Sequence, residues 1–581
     1  MARDDESSGR TIAEVCQIDR SPSTSTNLQL RSKETTTVGG TPETRDPSKP
    51  CSPEPILPPI NRLPEDIFIL IPRFFKGEHG PGTLNPFPPN KPLIAMTHVC
   101  RSWRTALLST PSLWTQIDFS TPGSKQAEGF LGRSGLQLID VYRIFDGADN
   151  NMKHFLSAVL GNVHRLRRLQ IYSSIPWHLE RLFGRLLGPA PELEDLEIDV
   201  DADGDAKLPS TIFDGQLPKL TRLSLHRLDT DLRGFNLPSL TWLNFSPMRE
   251  ISVRDLISFF EQCPLLEFIH LSLAKPYPDQ PPIPPPNNRV PLLELKELRF
   301  NQTACVSGLI DHLILPKCTE MMLEGRLMGE EFENHGDLAI QIHPSSVDHL
   351  PATKGIVKVV AMPTSSVLSG PNGIVRFHCS ERAYETFNVG FFTSFSPISV
   401  TEVKELWVGR YHTSCYDDFS KAWKTADGGI HGAFEVLMGV EDLTIVNCET
   451  KPFFSTLGAT VDDGTILLPR LRRLTAYVEH HRDIDIQALV QCVKARKEHS
   501  LSLGEVVIIF GEEPGADLVK GVELVREFVG KLIYRVGEAP RLHWAIPTGV
   551  DESNLCSKGR CGCRVNLGQG SRCLTRMHVH T

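Results

Sequence analysis

Leu217-Pro-Lys-Leu-Thr-Arg-Leu-Ser-Leu225 and Leu237-Pro-Ser-Leu-Thr-Trp-Leu-Asn-Phe245 are one nine-residue phrase written twice, 20 residues apart. Each has a proline-containing lead followed by Leu-x-x-Leu-x-Leu. The closing period-2 alternation belongs to a short strand that turns two apolar side chains to one face. Outward from this pair the phrase recurs as Leu166-x-x-Leu169-x-Ile171, Leu193-x-x-Leu196-x-Ile198, Leu266-x-x-Ile269-x-Leu271 and Leu295-x-x-Leu298-x-Phe300. A weaker copy is Cys318-x-x-Met321-x-Leu323. From Leu169 to Met321 the middle residues step by 27, 27, 20, 26, 29 and 23.

A lone strand of this kind leaves its apolar face wet, so neighbouring copies must cover one another. The steps sit in or near the period of a leucine-rich repeat. The residues between strands read as helical crossings over 153–160, 179–187 and 253–262. A doubly wound sheet would share the strand–helix alternation but would not require the recurring Leu-Pro-x-Leu lead. The expected fold class is therefore α/β, with an irregular leucine-rich-repeat solenoid over 125–325. Residues 326–400 break the rhythm and read as degenerate repeats or an insertion, strand-like only near 356–360 and 374–377. The rhythm resumes over 401–540 as Val403-x-x-Leu406-x-Val408, Val440-x-x-Leu443-x-Ile445 and Leu471-x-x-Leu474-x-Ala476. A strand over 506–510 and an amphipathic helix over 516–536 follow, and the whole predicts an arc with the sheet on its inner face.

Both tails read differently. Residues 1–55 are rich in Ser, Thr, Pro and charge, too poor in apolar side chains to offset their ordering entropy, and are expected to be disordered. Residues 541–581 turn to Gly, Ser and Arg and are read the same way. Cys556, Cys561, Cys563, Cys573, His578 and His580 are zinc-type ligands there, but without paired Cys-x-x-Cys knuckles no zinc site is assigned.

Ahead of the repeats lies a short helical stretch, residues 60–117. Pro64 suits a first helical turn, and Glu65 and Asp66 place negative charge at that helix's positive end. Leu63, Ile67, Leu70, Ile71 and Phe74 form one apolar stripe, cut short by Pro72. After a Gly/Pro-rich loop, Leu93, Met96, Val99, Cys100, Trp103 and Leu107 share a helical spacing that predicts one second helix, with Arg101 and Arg104 facing water. Ser109-Thr110-Pro111 stops it, and Gln116-Ile117-Asp118-Phe119 alternates as a first strand.

The arrangement Leu63-Pro64 … Ile67 … Ile71 … His98-Val99-Cys100-Arg101-Ser102-Trp103-Arg104 … Ser109-Thr110-Pro111-Ser112-Leu113-Trp114 resembles the F-box, in the F-box-like form common in fungal proteins. The likeness covers about a tenth of the chain, residues 56–120, and departs at Pro72 and in the long 76–92 loop. The resemblance implies a three-helix module that binds a Skp-family adaptor and, through it, a cullin. Leu63, Pro64, Ile67, Ile71, Val99, Cys100, Trp103 and Leu107 would be its adaptor-binding side chains. It further implies a substrate-recognition subunit of a cullin-based ubiquitin ligase whose repeats bind a target protein. The alternative is a non-catalytic repeat scaffold in which the same helices only cap the array.

Other classes find little support. The 61 basic and 70 acidic side chains give −9, no footprint for nucleic acid. The basic run at His164-Arg165-Leu166-Arg167-Arg168 reads as repeat surface. No apolar run approaches the ~20 residues of a membrane span, and residues 1–10 do not read as a secretory leader. The 14 dispersed cysteines read as reduced, and the compartment as cytoplasmic or nuclear. No phosphate-cradling loop, HExxH or GxSxG motif is present, and His480-His481 with Asp483 and Asp485 reads as a solvated crossing. No enzyme activity, cofactor or metal is expected.

Overall fold

The computed structural model describes residues 67, 70–71, 90–120, 124–145, 152–200, 207–209, 211–230, 232–248, 251–273, 289–301, 309–325, 349–361, 365–379, 398–409, 429–461 and 464–538. Leu63, Pro64 and the Cys/His-rich stretch 556–580 lie outside these residues. The described part is a mixed α/β structure built on one 17-stranded, mostly parallel sheet. In chain order the strands are Gln116–Asp118 (β1), Ile139–Phe145 (β2), Leu166–Ser173 (β3), Asp195–Val200 (β4), Arg222–His226 (β5) and Trp242–Met248 (β6). Phe268–Leu273 (β7), Glu297–Asn301 (β8), Glu320–Gly325 (β9), Lys358–Ala361 (β10), Ser365–Gly370 (β11) and Gly373–Cys379 (β12) follow. Glu405–Gly409 (β13), Asp442–Val446 (β14), Arg473–Val478 (β15), Glu505–Phe510 (β16) and Lys531–Val536 (β17) complete it.

The register explains the sequence phrase. Ile117, Val141, Leu169, Leu196, Leu223, Leu243, Ile269, Leu298 and Met321 are successive cross-strand partners from β1 to β9. All of them are buried. A one-residue slip would carry this column to the opposite face, so the apolar pattern pins the register. The Leu-Pro lead has a local cause as well. Leu220 N–H donates to Leu217 O at 3.1 Å, and Leu240 N–H to Leu237 O at 3.1 Å. These are four-residue turns with proline at the second position, where its fixed φ is already correct. Each repeat then hands one carbonyl to the next: Thr221 O accepts from Thr241 and Trp242 N–H, and Thr241 O from Glu267 and Phe268 N–H.

Crossing segments cover the apolar face. Helices Met152–Leu160, Pro176–Phe183 and Val253–Glu261 occupy the expected places within a few residues. Their buried side chains, such as Phe155, Leu179, Phe259 and Phe260, join the strand leucines in one core. Around the shortest step the crossings shrink to the 3-10 turns Ile212–Gly215 and Leu232–Gly234.

Three expectations are corrected. Within 326–400 the described strands β10 to β12 join the sheet: β12 pairs with β9 and β10 with β13, both parallel, with β11 antiparallel between them. Ser365–Gly370, read from sequence as loop, is that middle strand. The apolar column runs through it as Val375, Leu368 and Val359 to Leu406, Leu443, Leu474 and Val506. The helix expected over 516–536 stops at Glu523. Beyond Gly530, Lys531–Val536 alternates and adds a last parallel strand to β16. Finally, the single helix expected through Leu93–Leu107 is two, Lys91–Thr97 (α1) and Arg101–Leu108 (α2). Cys100 is extended between them (φ −155°, ψ 173°), and its Sγ accepts from Trp103 N–H as the cap of α2.

Candidate interaction surfaces

The two short helices are seated on the start of the sheet. Leu93, Leu107, Leu113 and Trp114 are buried in the common core, with Ile71, Met96 and Trp103 packed partly against it. Trp114 Nε1–H donates to Leu107 O at 2.8 Å and its ring meets Phe130 at 5.0 Å. Asn90 Nδ2 reaches Gln116 O at 3.0 Å, and Arg104 Nε binds Thr97 O at 2.9 Å across the α1–α2 break. Packing therefore consumes one side of this segment. Leu107 is wholly buried, so it serves the core and not an outer partner. Away from that packing Val99 is 59% exposed, Cys100 is half-buried, and Arg101 and Arg104 face solvent; Ile67, earlier in the chain, is 44% exposed.

The second surface is the sheet face away from the crossing helices. Here the x residues of Leu-x-x-Leu-x-Leu stand in two columns. One runs Asp140, Arg168, Asp195, Arg222, Trp242, Phe268, Glu297 and Glu320 across β2 to β9. The other, two residues on, runs Tyr142, Gln170, Glu197, Ser224, Asn244, His270 and Arg299 across β2 to β8. Asp195 lies between Arg168 (2.9 Å) and Arg222 (3.7 Å), and Arg222 stacks over Trp242 at 4.8 Å. Gln170 Nε2 donates to Glu197 Oε2 at 2.8 Å. Ser224 Oγ lies 2.9 Å from His226 Nε2, and Asn244 Nδ2 donates to Ser224 Oγ at 3.2 Å.

Crowding on this face shifts several groups. Burial, then the charges of Asp195 and Asp199, pushes the Glu197 carboxyl up to about 7 against the weaker pull of Gln170. Burial also raises Asp195 in spite of its two arginines. His270 is pushed down to about 4 by burial and by Arg299 and His226, which keeps it neutral. Tyr142 is raised to about 12, first by burial and then by Asp118 and Glu197.

Other sequence candidates resolve into structure. Arg165, expected on the surface, is buried and donates to Ser134 Oγ (2.9 Å), Asn162 Oδ1 (2.9 Å) and Gln137 O (3.0 Å). Arg167 pairs with Asp140 at 2.7 Å. Asp485 caps the helix Ile486–Glu498 through Ala488 N–H, while His481 lies edge-on to Phe510. Cys263, Cys318 and Cys492 are buried free thiols pushed up to about 12, far from thiolate reactivity at neutral pH. Among the described residues no group of three or more His, Cys, Asp or Glu is placed to hold a metal, and no helix is long and apolar enough to cross a membrane. No family model matches the chain, and no curated protein matches it either.

Proposed function

We propose that the chain is the target-recognition subunit of a cullin-based ubiquitin ligase. Residues 56–120 act as an F-box-like module for a Skp-family adaptor, and the repeats act as a leucine-rich-repeat-like array for a target protein. The observation that carries this reading is the two-sided seating of the 98–104 segment. The segment with the F-box-like residues is anchored through Leu93, Leu107 and Trp114, yet Val99 and Ile67 are left uncovered. Uncovered apolar side chains held by an anchored segment offer a partner apolar area to bury, worth about 25 cal/mol per Å². The activity is then one of proximity: holding the target beside a charged ubiquitin carrier raises its effective concentration, and the chain breaks no bond itself.

The test is capture of a purified Skp-type adaptor by the intact protein, with Val99→Asp and Ile67→Asp as variants. Each is expected to weaken capture by at least about thirtyfold, roughly 2 kcal/mol, with an unchanged melting temperature because both sites are exposed. An intact protein that ignores the adaptor, or variants that bind it equally well, overturns the reading. The burial of Leu93, Leu113 and Trp114 against the first strands favours a second reading, a cap without adaptor. In that case removing 56–120 precipitates the array although the intact chain never bound adaptor.

A further inference from the structure

We propose that the polar face across β3 to β8 receives a lysine- or arginine-bearing segment of a target protein, its basic side chain seated on Glu197. The inference takes the sheet's target-binding role from the reading above; the chemistry comes from the face itself.

Asp195, Glu197 and Asp199 stand on the same face of β4. The outer two are matched within the fold, Asp195 by Arg168 and Arg222 and Asp199 by Arg227 at 3.3 Å. The same holds further along, where Arg376 faces Glu320 at 3.7 Å and Lys358 faces Glu405 at 3.1 Å. Glu197 differs. Its hydrogen bond is to the Gln170 amide; Arg222 acts on it only from longer range, and among the described residues no cation lies within 4.0 Å of it.

A second observation in the same column points the same way. Asn244 is only 6% exposed, its Nδ2 is spent on Ser224 and His226, and among the described residues its Oδ1 has no donor. A buried amide oxygen without a donor destabilises the free protein, and an incoming donor relieves it. Asn244 lies on β6 and Glu197 on β4, two strands apart by way of β5. At 4.7–4.9 Å per strand the separation is roughly 10 Å. An extended peptide crossing the strands spans that in about three residues. It can therefore place a basic side chain at Glu197 and a hydrogen-bond donor at Asn244. Trp242 and Phe268, cross-strand partners and half-buried, give such a segment an apolar floor beside the column. Arg168 and Arg222 are engaged by Asp195 and Arg227 by Asp199, so an acidic side chain placed at Glu197 itself would meet a carboxylate, with the bare Asn244 oxygen beyond it.

The probe is an array of degenerate peptides with one position fixed as Lys, Arg, Glu, Asp or Ala, bound by the intact chain. We expect Lys- and Arg-fixed pools to exceed the Ala-fixed pool at least tenfold. Glu197→Gln should lose that preference while melting no lower than the parent and keeping adaptor capture. No pool bound above background, selection of acidic pools, or an unchanged basic preference in Glu197→Gln overturns the inference. Adaptor capture is scored in parallel, so a chain that selects basic peptides without holding adaptor removes the ligase reading alone. A chain that holds adaptor but shows no basic selection removes this inference alone.

Discussion

Glu197→Gln also tests the electrostatics of the sheet through stability. The folded chain holds the Glu197 proton more tightly than the unfolded chain, about 7 against the ordinary 4.5. The stability this carboxyl lends is therefore complete below about pH 4.5 and is lost as pH rises through 7. Each tenfold in proton affinity is 1.36 kcal/mol, so the ionised carboxylate costs the fold about 3 kcal/mol by pH 8 and below about 1 kcal/mol at pH 5. Glutamine keeps the shape and still accepts from Gln170, but carries no charge to bury. Asp195 titrates in both proteins, so most of its effect cancels in the comparison. With an unfolding entropy near 2.1 cal/mol/K per residue, a chain of this size gains about a degree per kcal/mol. The variant should melt about 2–3 °C above the parent at pH 8 and within about 1 °C of it at pH 5, by calorimetry in matched buffers. An equal shift at both values, or a lower melting point at pH 8, would refute the burial argument.

Two further substitutions probe the frame. Gly373 has φ +148° and an added Cβ would stand 2.2 Å from Thr319 O, at the junction where Ile374 N–H binds that same carbonyl at 2.7 Å. Gly373→Ala should cost more than about 3 kcal/mol and expose the β9 and β12 amides to hydrogen exchange ahead of those in β4 and β5. Arg496 is fully buried and donates to the carbonyls of Leu467 (2.9 Å) and Leu468 (2.8 Å), tying the helix Ile486–Glu498 to the turn that precedes β15. Arg496→Ala removes these donors and opens a cavity, for an expected loss of about 3–5 kcal/mol in urea unfolding, with adaptor capture unchanged.

Where the sequence was legible, a residue's neighbours in the chain were enough to dictate its geometry. Leu217-Pro218-Lys219-Leu220 closes a turn by itself, and the next two alternating apolar residues fix a strand and its face. Where it misled, distant partners decided. Leu518, Val522 and Val525 keep a helical spacing toward Lys531–Val536, yet β16 offers an unpaired edge and Gly530 permits the approach, 2.7 Å from Gly504 O to a virtual Cβ. Ser365–Gly370 has no repeat phrase because it runs antiparallel, as the middle strand of a meander. In α1–α2 the stripe of Leu93, Met96, Val99, Cys100, Trp103 and Leu107 conceals a break, because cysteine is a rare cap and the exposed Val99 looks like a core residue from spacing alone.

The polar face was illegible for a different reason. Gln170, Glu197, Ser224, Asn244 and His270 lie 20 to 27 residues apart along the chain, in positions that the repeat phrase marks only as x. Their chemistry exists only across strands: Glu197 is an ordinary surface carboxylate until Asp195, Asp199 and Gln170 are set around it. The leucines remedy this. Once the column Leu169–Leu196–Leu223–Leu243–Ile269 sets the register, the residue after each member falls into a column of its own. The apolar half of the repeat thus serves as an index to the polar half. A substitution at any of these leucines that shifts the pairing would scramble the face as well as weaken the core, so recognition and stability should fail together there and separately at Glu197.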